Sequence, residues 1–161
     1  MIWISIIALV ISIISISLTI RKYWVDYKEN LLNIDVSFKN LYFEYPRIVL
    51  ELDIINKTKN PVSVTKIELH DANSDIYLEA VFNKTLIAKT KNIRNNSTAL
   101  PIYLESYNSK KGFFLFKLHS KISKEFYLRL YTNKGIFTTN KLMKQGPLLP
   151  LKALEELTID T

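Results

Sequence analysis

Ile48-Val49-Leu50-Glu51-Leu52-Asp53-Ile54 is the stretch that decides the fold. Large aliphatic side chains recur at every second position, with Glu51 and Asp53 between them. An extended chain turns successive side chains to opposite faces, so this period of two describes a strand with one buried face. Val49 shares the parity of the acids and reads as part of the solvent side.

The pattern continues in both directions. Upstream, Ile34, Val36 and Phe38 alternate with Asn33, Asp35 and Ser37. Downstream, Val62 and Val64 have one parity and Ile67 and Leu69 the other, which predicts a β-bulge near Thr65-Lys66. Ile76, Leu78, Ala80 and Phe82 form a further alternating run, and weaker strands are expected at Leu86–Lys89 and Ala99–Leu104. Phe114, Phe116 and Leu118, then Phe126, Leu128 and Leu130, supply two more inward faces. Thr132-Asn133-Lys134-Gly135 suits a hairpin turn leading into a last strand at Ile136–Thr139. Seven to nine short strands separated by turn signals predict an all-β fold, an immunoglobulin-like β-sandwich over residues 31–140. Alternation is lost in the tail, residues 141–161, where Leu151–Leu157 can form a short helix.

The N-terminal segment is of another kind. Ile2 to Ile20 reads IWISIIALVISIISISLTI, without a charged side chain. Nineteen helical residues span about 28 Å, close to the ~30 Å hydrocarbon thickness of a bilayer. Residues 1–21 are therefore expected to be a transmembrane helix, with residues 22–30 a juxtamembrane linker able to continue it. Trp3 at one end and Arg21, Lys22, Tyr23 and Trp24 at the other are the expected interfacial anchors. A cleaved signal peptide would want Lys or Arg before the apolar core and a better cleavage site than Ser15-Ile16-Ser17. The reading is an uncleaved single-pass anchor in a cell membrane. Arg21, Lys22 and Lys28 follow the helix and only the α-amino group precedes it, so the positive-inside rule places the domain in the cytoplasm.

Ser5, Ala8, Ser12, Ser15 and Thr19 recur at intervals of three and four and mark one stripe of this helix. Small residues let helix backbones approach, so the stripe is a candidate contact with a membrane-protein partner or a second copy. The alternative is that the hydroxyls bond back to their own helix carbonyls.

Composition restricts the chemistry. With 22 Lys and Arg against 15 Asp and Glu the net charge is +7, of which residues 31–161 carry +6. This suits anionic neighbours, the inner membrane leaflet among them, and equally an ordinary solvated β surface. The absence of cysteine excludes disulfides, thiolate metal sites and cysteine nucleophiles. Abundant Ile, Lys and Asn with little Arg and Gly suggests an AT-rich bacterial or phage genome. The sequons at Asn56, Asn83, Asn95 and Asn96 are then accidents of composition.

Gly112, Gly135 and Gly146 make no phosphate loop or nucleophile elbow. His70 and His119 belong to no metal-binding pair, and are expected at the surface or at strand ends. Asp71-Ala72-Asn73-Ser74-Asp75 has calcium-loop spacing at its start. Ile76 and Phe82 then stand where an EF-hand needs Gly and Glu, so a turn is the simpler reading. Lys110, Lys111, Lys117, Lys121, Lys124, Arg129 and Lys134 make the C-terminal half basic. Aromatics of outward parity could stack bases there, but a membrane anchor argues against nucleic acid. The same outward residues, Tyr77, Tyr103, Phe113, Tyr127 and Tyr131 together with Leu115, are instead a candidate face for a protein partner, unless another element covers them. No catalytic residue, metal or cofactor is expected.

Three segments carry a resemblance: the Ile-rich anchor ending in Arg21-Lys22, then Leu52-Asp53-Ile54-Ile55-Asn56-Lys57, then Pro61-Val62-Ser63-Val64-Thr65-Lys66-Ile67. Leu100-Pro101-Ile102 and Phe113-Phe114-Leu115-Phe116 add to it. With these the chain resembles a loose group of small single-pass membrane proteins of Gram-positive bacteria and their phages. The resemblance implies an immunoglobulin-like domain and transfers no catalytic residue. The functional expectation is a membrane-anchored, non-enzymatic interaction module. The alternative is a phage or host defence factor acting on a membrane process.

Overall fold

A computed structural model describes residues 2–89, 94–119, 125–139, 143–144, 149–151 and 153–156. The chain opens with helix α1 (Ile2–Asn30), followed by strands β1 (Ile34–Glu44), β2 (Arg47–Asn56) and β3 (Val62–Asp71). The short strands β4 (Tyr77–Glu79), β5 (Leu86–Lys89), β6 (Arg94–Asn96) and β7 (Ile102–Leu104) come next. Then follow β8 (Ser109–Lys117), β9 (Glu125–Thr132), β10 (Gly135–Thr138), β11 (Met143–Lys144), β12 (Leu149–Pro150) and the single turn α2 (Ala153–Glu156). Leu157, the last residue of the expected short helix, lies outside the described residues, as do Met1, Lys121 and Lys124.

The strands form the sandwich that the alternation predicts. One sheet, A, has the order β12-β1-β2-β8; the other, B, has β10-β9-β3-β4, with β7 beside one end of β3 and β11 on β9. Two half-apolar sheets bury their apolar sides by packing them face to face. Leu50, Leu52 and Ile54 of β2 with Phe114 and Phe116 of β8 meet Ile67 and Leu69 of β3 with Leu128 and Leu130 of β9. The bulge expected at Thr65-Lys66 is present: Val64 pairs with Thr132 but Lys66 with Tyr131. It turns Ile67 and Leu69 inward although their parity opposes that of Val62 and Val64.

A second bulge, between Phe38 and Asn40, was not expected, although parity flips between Phe38 and Leu41. It puts Leu41 in the main core opposite Leu50, and turns Tyr42 to the outer side of sheet A opposite Val49. There a second core forms. Tyr42, Val49 and Leu115 are covered by Ile87 and Ala88 of β5 and by Leu151 and Leu154 of the tail, all of them buried. Val49 is therefore not on a solvent side, and Leu115 is not available to a partner. Burial pushes the Tyr42 hydroxyl up to about 12, with the Glu51 carboxylate reinforcing the shift. Asn95 donates to the Leu154 carbonyl at 2.8 Å, tying the β5–β6 hairpin to α2. Phe82 also departs from its expected inward position and is exposed, because the chain leaves β4 after Glu79 and crosses towards β8.

The close approach of two segments at Gly112 makes a sharp expectation. A Cβ there would lie 2.5 Å from Thr98 Oγ1 and 3.1 Å from the Phe114 ring. Thr98 Oγ1 also accepts the Phe113 N–H at 3.1 Å. Gly112→Ala must displace that hydroxyl and is expected to cost about 1–3 kcal/mol. The urea midpoint measures the loss, and Thr98→Ala in the same chain should recover most of it.

Helix α1 continues without a break through residues 22–30, so the juxtamembrane linker is helical. It is long and apolar enough to cross a membrane, and none of its described residues is buried. A signal sequence near an N-terminus has the same two properties. Its C-terminal end meets the domain through Glu29 and Lys59, 3.2 Å apart, and a hydrogen bond from Asn60 to Asn30.

Candidate functional site

The outer face of sheet B is the surface that the lid of sheet A leaves open. Its geometry follows from register. The bulge puts Lys66, Glu68 and His70 on the outer side of β3, and alternation puts Tyr127, Arg129 and Tyr131 on the outer side of β9. Cross-strand neighbours then fall into rows. His70 lies between Tyr77 and Tyr127, Glu68 between Glu79 and Arg129, and Lys66 beside Tyr131.

The first row is a stack of three rings. His70 lies 5.1 Å from Tyr127 and 5.5 Å from Tyr77 between centroids, with interplanar angles of 13° and 21°. The other two rows converge on Glu68, which is buried on an otherwise open face. Its carboxylate receives Lys66 Nζ at 2.8 Å, His70 Nε2 at 2.8 Å and the Tyr131 hydroxyl at 2.9 Å. Burial pushes the Glu68 carboxyl up, but those three partners outweigh it and hold it down at about 2. Lys66 also pairs with Glu79 and lies 5.3 Å over the Tyr131 ring; its hydrogen bonds to Glu68 and Glu79 raise it above the ordinary lysine range. The polar groups of this face are thus committed to one another. Among the described residues, Lys66, Glu68, His70, Glu79 and Tyr131 are engaged with one another on this face.

Of the expected partner face, Tyr77, Tyr127 and Tyr131 come together here. Tyr103 pairs with Ser63 at the far end of the same sheet, where it is 71% exposed. Phe113 does not join them. It lies on sheet A, half-buried against the second core, with its ring edge-on to Tyr42 at 6.3 Å. Exposed Ile136, opposite Tyr131 on β10, extends the face by one apolar residue. The sequence reading missed Lys66, Glu68, His70 and Arg129 as members of one site. Their signal was available as Lys66-x-Glu68-x-His70 beside Tyr127-x-Arg129-x-Tyr131, two polar-aromatic alternations of outward parity. His70 is the next-to-last residue of β3, at a strand end, with its side chain mostly covered.

The remaining candidates are placed as follows. Ser5, Ala8, Ser12, Ser15 and Thr19 share one side of exposed α1. The hydroxyls of Ser12 and Thr19 donate to the carbonyls four residues back, at 2.9 and 2.8 Å. Trp3, Arg21, Lys22, Tyr23 and Trp24 are all exposed near the ends of the apolar run. Asp71 caps its own turn, accepting from the Asn73 N–H at 3.0 Å and the Ser74 hydroxyl at 2.9 Å, while Asn73 and Asp75 point to solvent. Among the described residues no three His, Cys, Asp or Glu side chains are placed to hold a metal ion.

No family model and no curated protein matches the chain. Among solved structures, the apo PmoF2 PCuAC domain is similar to it at 14% identity and a TM-score of 0.45, covering 74% of this chain and 96% of that one. A likeness this distant carries no argument about function. The described residues form a β-sandwich behind an apolar helix, with the outer face of sheet A covered by a second core and that of sheet B rich in exposed and half-buried tyrosine.

Proposed function

We propose that the chain is a single-pass membrane protein whose sandwich stands in the cytoplasm and serves as a non-enzymatic interaction module, presenting the outer face of sheet B to a protein partner. The observation that carries this reading is the asymmetry of the two outer faces. Sheet A is covered by its own lid, whereas the outer face of sheet B exposes Tyr77 and Ile136 and keeps Tyr127 and Tyr131 half-buried beside Glu68, which stiffens it. Rigid aromatic side chains bury much area at small entropic cost and are enriched at interface cores. The exposed apolar run of α1, bordered by Trp3 and by Tyr23 and Trp24, supports the anchor. Arg21 and Lys22 support the orientation. Tethering confines the domain to the membrane surface and raises its effective concentration for a membrane partner. The small-residue stripe is the natural second contact, within the bilayer.

A photo-crosslinking side chain at position 77 or 131, compared with one at position 113, tests the reading in living cells. Discrete adducts from the two sheet B positions and none from position 113 are expected. Equal labelling from both faces, or adducts from position 113 alone, would remove the basis for it.

A further inference from the structure

The ring ladder on sheet B ends where the strands end. Tyr127, His70 and Tyr77 come in order from β9, β3 and β4, so the spacing of neighbouring strands, about 4.8 Å, sets the spacing of the rings. Among the described residues no further strand follows β4 at this level of the sheet. The chain bends away instead: Ala80 bridges Phe116, and the Val81 N–H donates to the Leu115 carbonyl at 2.8 Å. Where the next rung would stand there is an open groove of about 400 Å³, lined by Tyr77, Leu78, Glu79, Val81, Lys117 and His119. Tyr77, whose ring stacks on His70, also lines this groove.

Charge decides what kind of ring fits. The Glu79 carboxylate is already engaged by Lys66, which weakens the case for a guanidinium from a partner protein. Among the described residues no carboxylate pairs with Lys117 or His119. We infer that the groove binds a planar aromatic ring carrying a phosphate, a ligand of mononucleotide size. The ring stacks on Tyr77 as a fourth rung, and Lys117 and His119 meet the phosphate. The volume is within the range of small-molecule sites. Stacking of a base on an aromatic side chain beside basic residues is the chemistry by which single strands are bound without base-specific contacts, and it applies equally to one phosphate-bearing ring. The inference needs neither the membrane anchor nor the protein partner of the proposed function.

Flavin mononucleotide is a suitable probe, because stacking on tyrosine quenches its ring fluorescence. The full chain in lipid nanodiscs is titrated with it, with empty nanodiscs as the blank. Saturable quenching is expected, reversed by AMP, with riboflavin binding more weakly for want of the phosphate. Tyr77→Ala should weaken binding about tenfold, the loss of one stacked base, and Tyr77→Phe should leave it nearly unchanged. Lys117→Glu should weaken the phosphate-bearing probe and leave riboflavin unaffected, which keeps the test decisive if Tyr77→Ala unfolds. Displacement by inorganic phosphate as effective as by AMP would reduce the groove to a cation patch and overturn the inference. Wild-type affinity in Tyr77→Ala, displacement by N-acetylarginine amide but not AMP, or no saturable quenching would overturn it equally.

Discussion

Replacing Asn56 with alanine is expected to destabilise the domain by about 3–4 kcal/mol, more than most single substitutions. The side chain is fully buried and holds three stretches of backbone at once. Its amide nitrogen donates to the Asn60 and Glu105 carbonyls at 2.9 Å each, and its oxygen accepts from the Thr58 N–H at 3.0 Å and the Thr58 hydroxyl at 2.7 Å. Alanine leaves the buried Thr58 N–H without its partner and strips one bond each from the Asn60 and Glu105 carbonyls, which keep the Thr58 hydroxyl at 2.8 Å and the Asn108 N–H at 3.3 Å. The penalty is desolvation at Thr58, the lost bonds and the space left behind. Thermal unfolding of the full chain should fall by roughly 10–20 °C, while Asn83→Ala, at an exposed position, should change stability by less than about 0.5 kcal/mol. The same turn grips the helix, since Lys59 and Asn60 hold Glu29 and Asn30. Faster hydrogen exchange at the Leu31 and Lys57 amides, which bond to Lys28 and Asn33, should accompany the loss. A change of 1 kcal/mol or less would mean that backbone pairing alone holds these loops.

The second large effect is expected at Glu68. An unfolded Glu68 titrates near its ordinary value of 4.5 and the folded one at about 2, so the folded state binds fewer protons between those values. Its contribution is complete above pH 4.5 and is lost as pH falls through 2. The difference amounts to about 3 kcal/mol. Other carboxylates titrate in the same range, so the informative quantity is the difference between the wild type and Glu68→Gln. That difference should be largest near neutral pH and close to zero at pH ~2. Glu68→Ala should cost about 3–5 kcal/mol at neutral pH, because it strips the partner from His70 and Tyr131 and leaves Lys66 with Glu79 alone. Parallel stability curves for wild type and Glu68→Gln across this range would contradict the assignment of Glu68 as the organiser of the face.

How much of this was legible in the residues depends on the kind of contact. β9 was readable because it has one apolar face and a strict period of two, and the bulge of β3 because parity flips between Val64 and Ile67. β2 and β8 were readable because large inward side chains recur at every second position despite Val49, Phe113 and Leu115 between them. The bulge in β1 was harder to read: parity flips between Phe38 and Leu41, but Leu41, Tyr42 and Phe43 are consecutive large side chains, and only pairing with Leu50 and Val49 shows which way they turn. The second core was hidden for a related reason. Val49 and Leu115 share the parity of solvent-facing neighbours, and they are buried only because the β5–β6 hairpin and the tail, neither with a strong alternating pattern, fold over them. The tyrosines of the open face could be named from outward parity, whereas their assembly with His70 and Glu68 depends on register between strands far apart in sequence. Phe113 shows the limit of parity: the right side of its strand was the wrong sheet.

The claim that a membrane helix holds this domain in the cytoplasm is tested most directly by paired fluorescent-protein and alkaline-phosphatase fusions at Thr161 in a bacterial host. Fluorescence in the membrane fraction without phosphatase activity is the predicted result. Phosphatase activity without fluorescence would contradict it, placing the domain outside the cytoplasm behind a reversed anchor or a signal sequence.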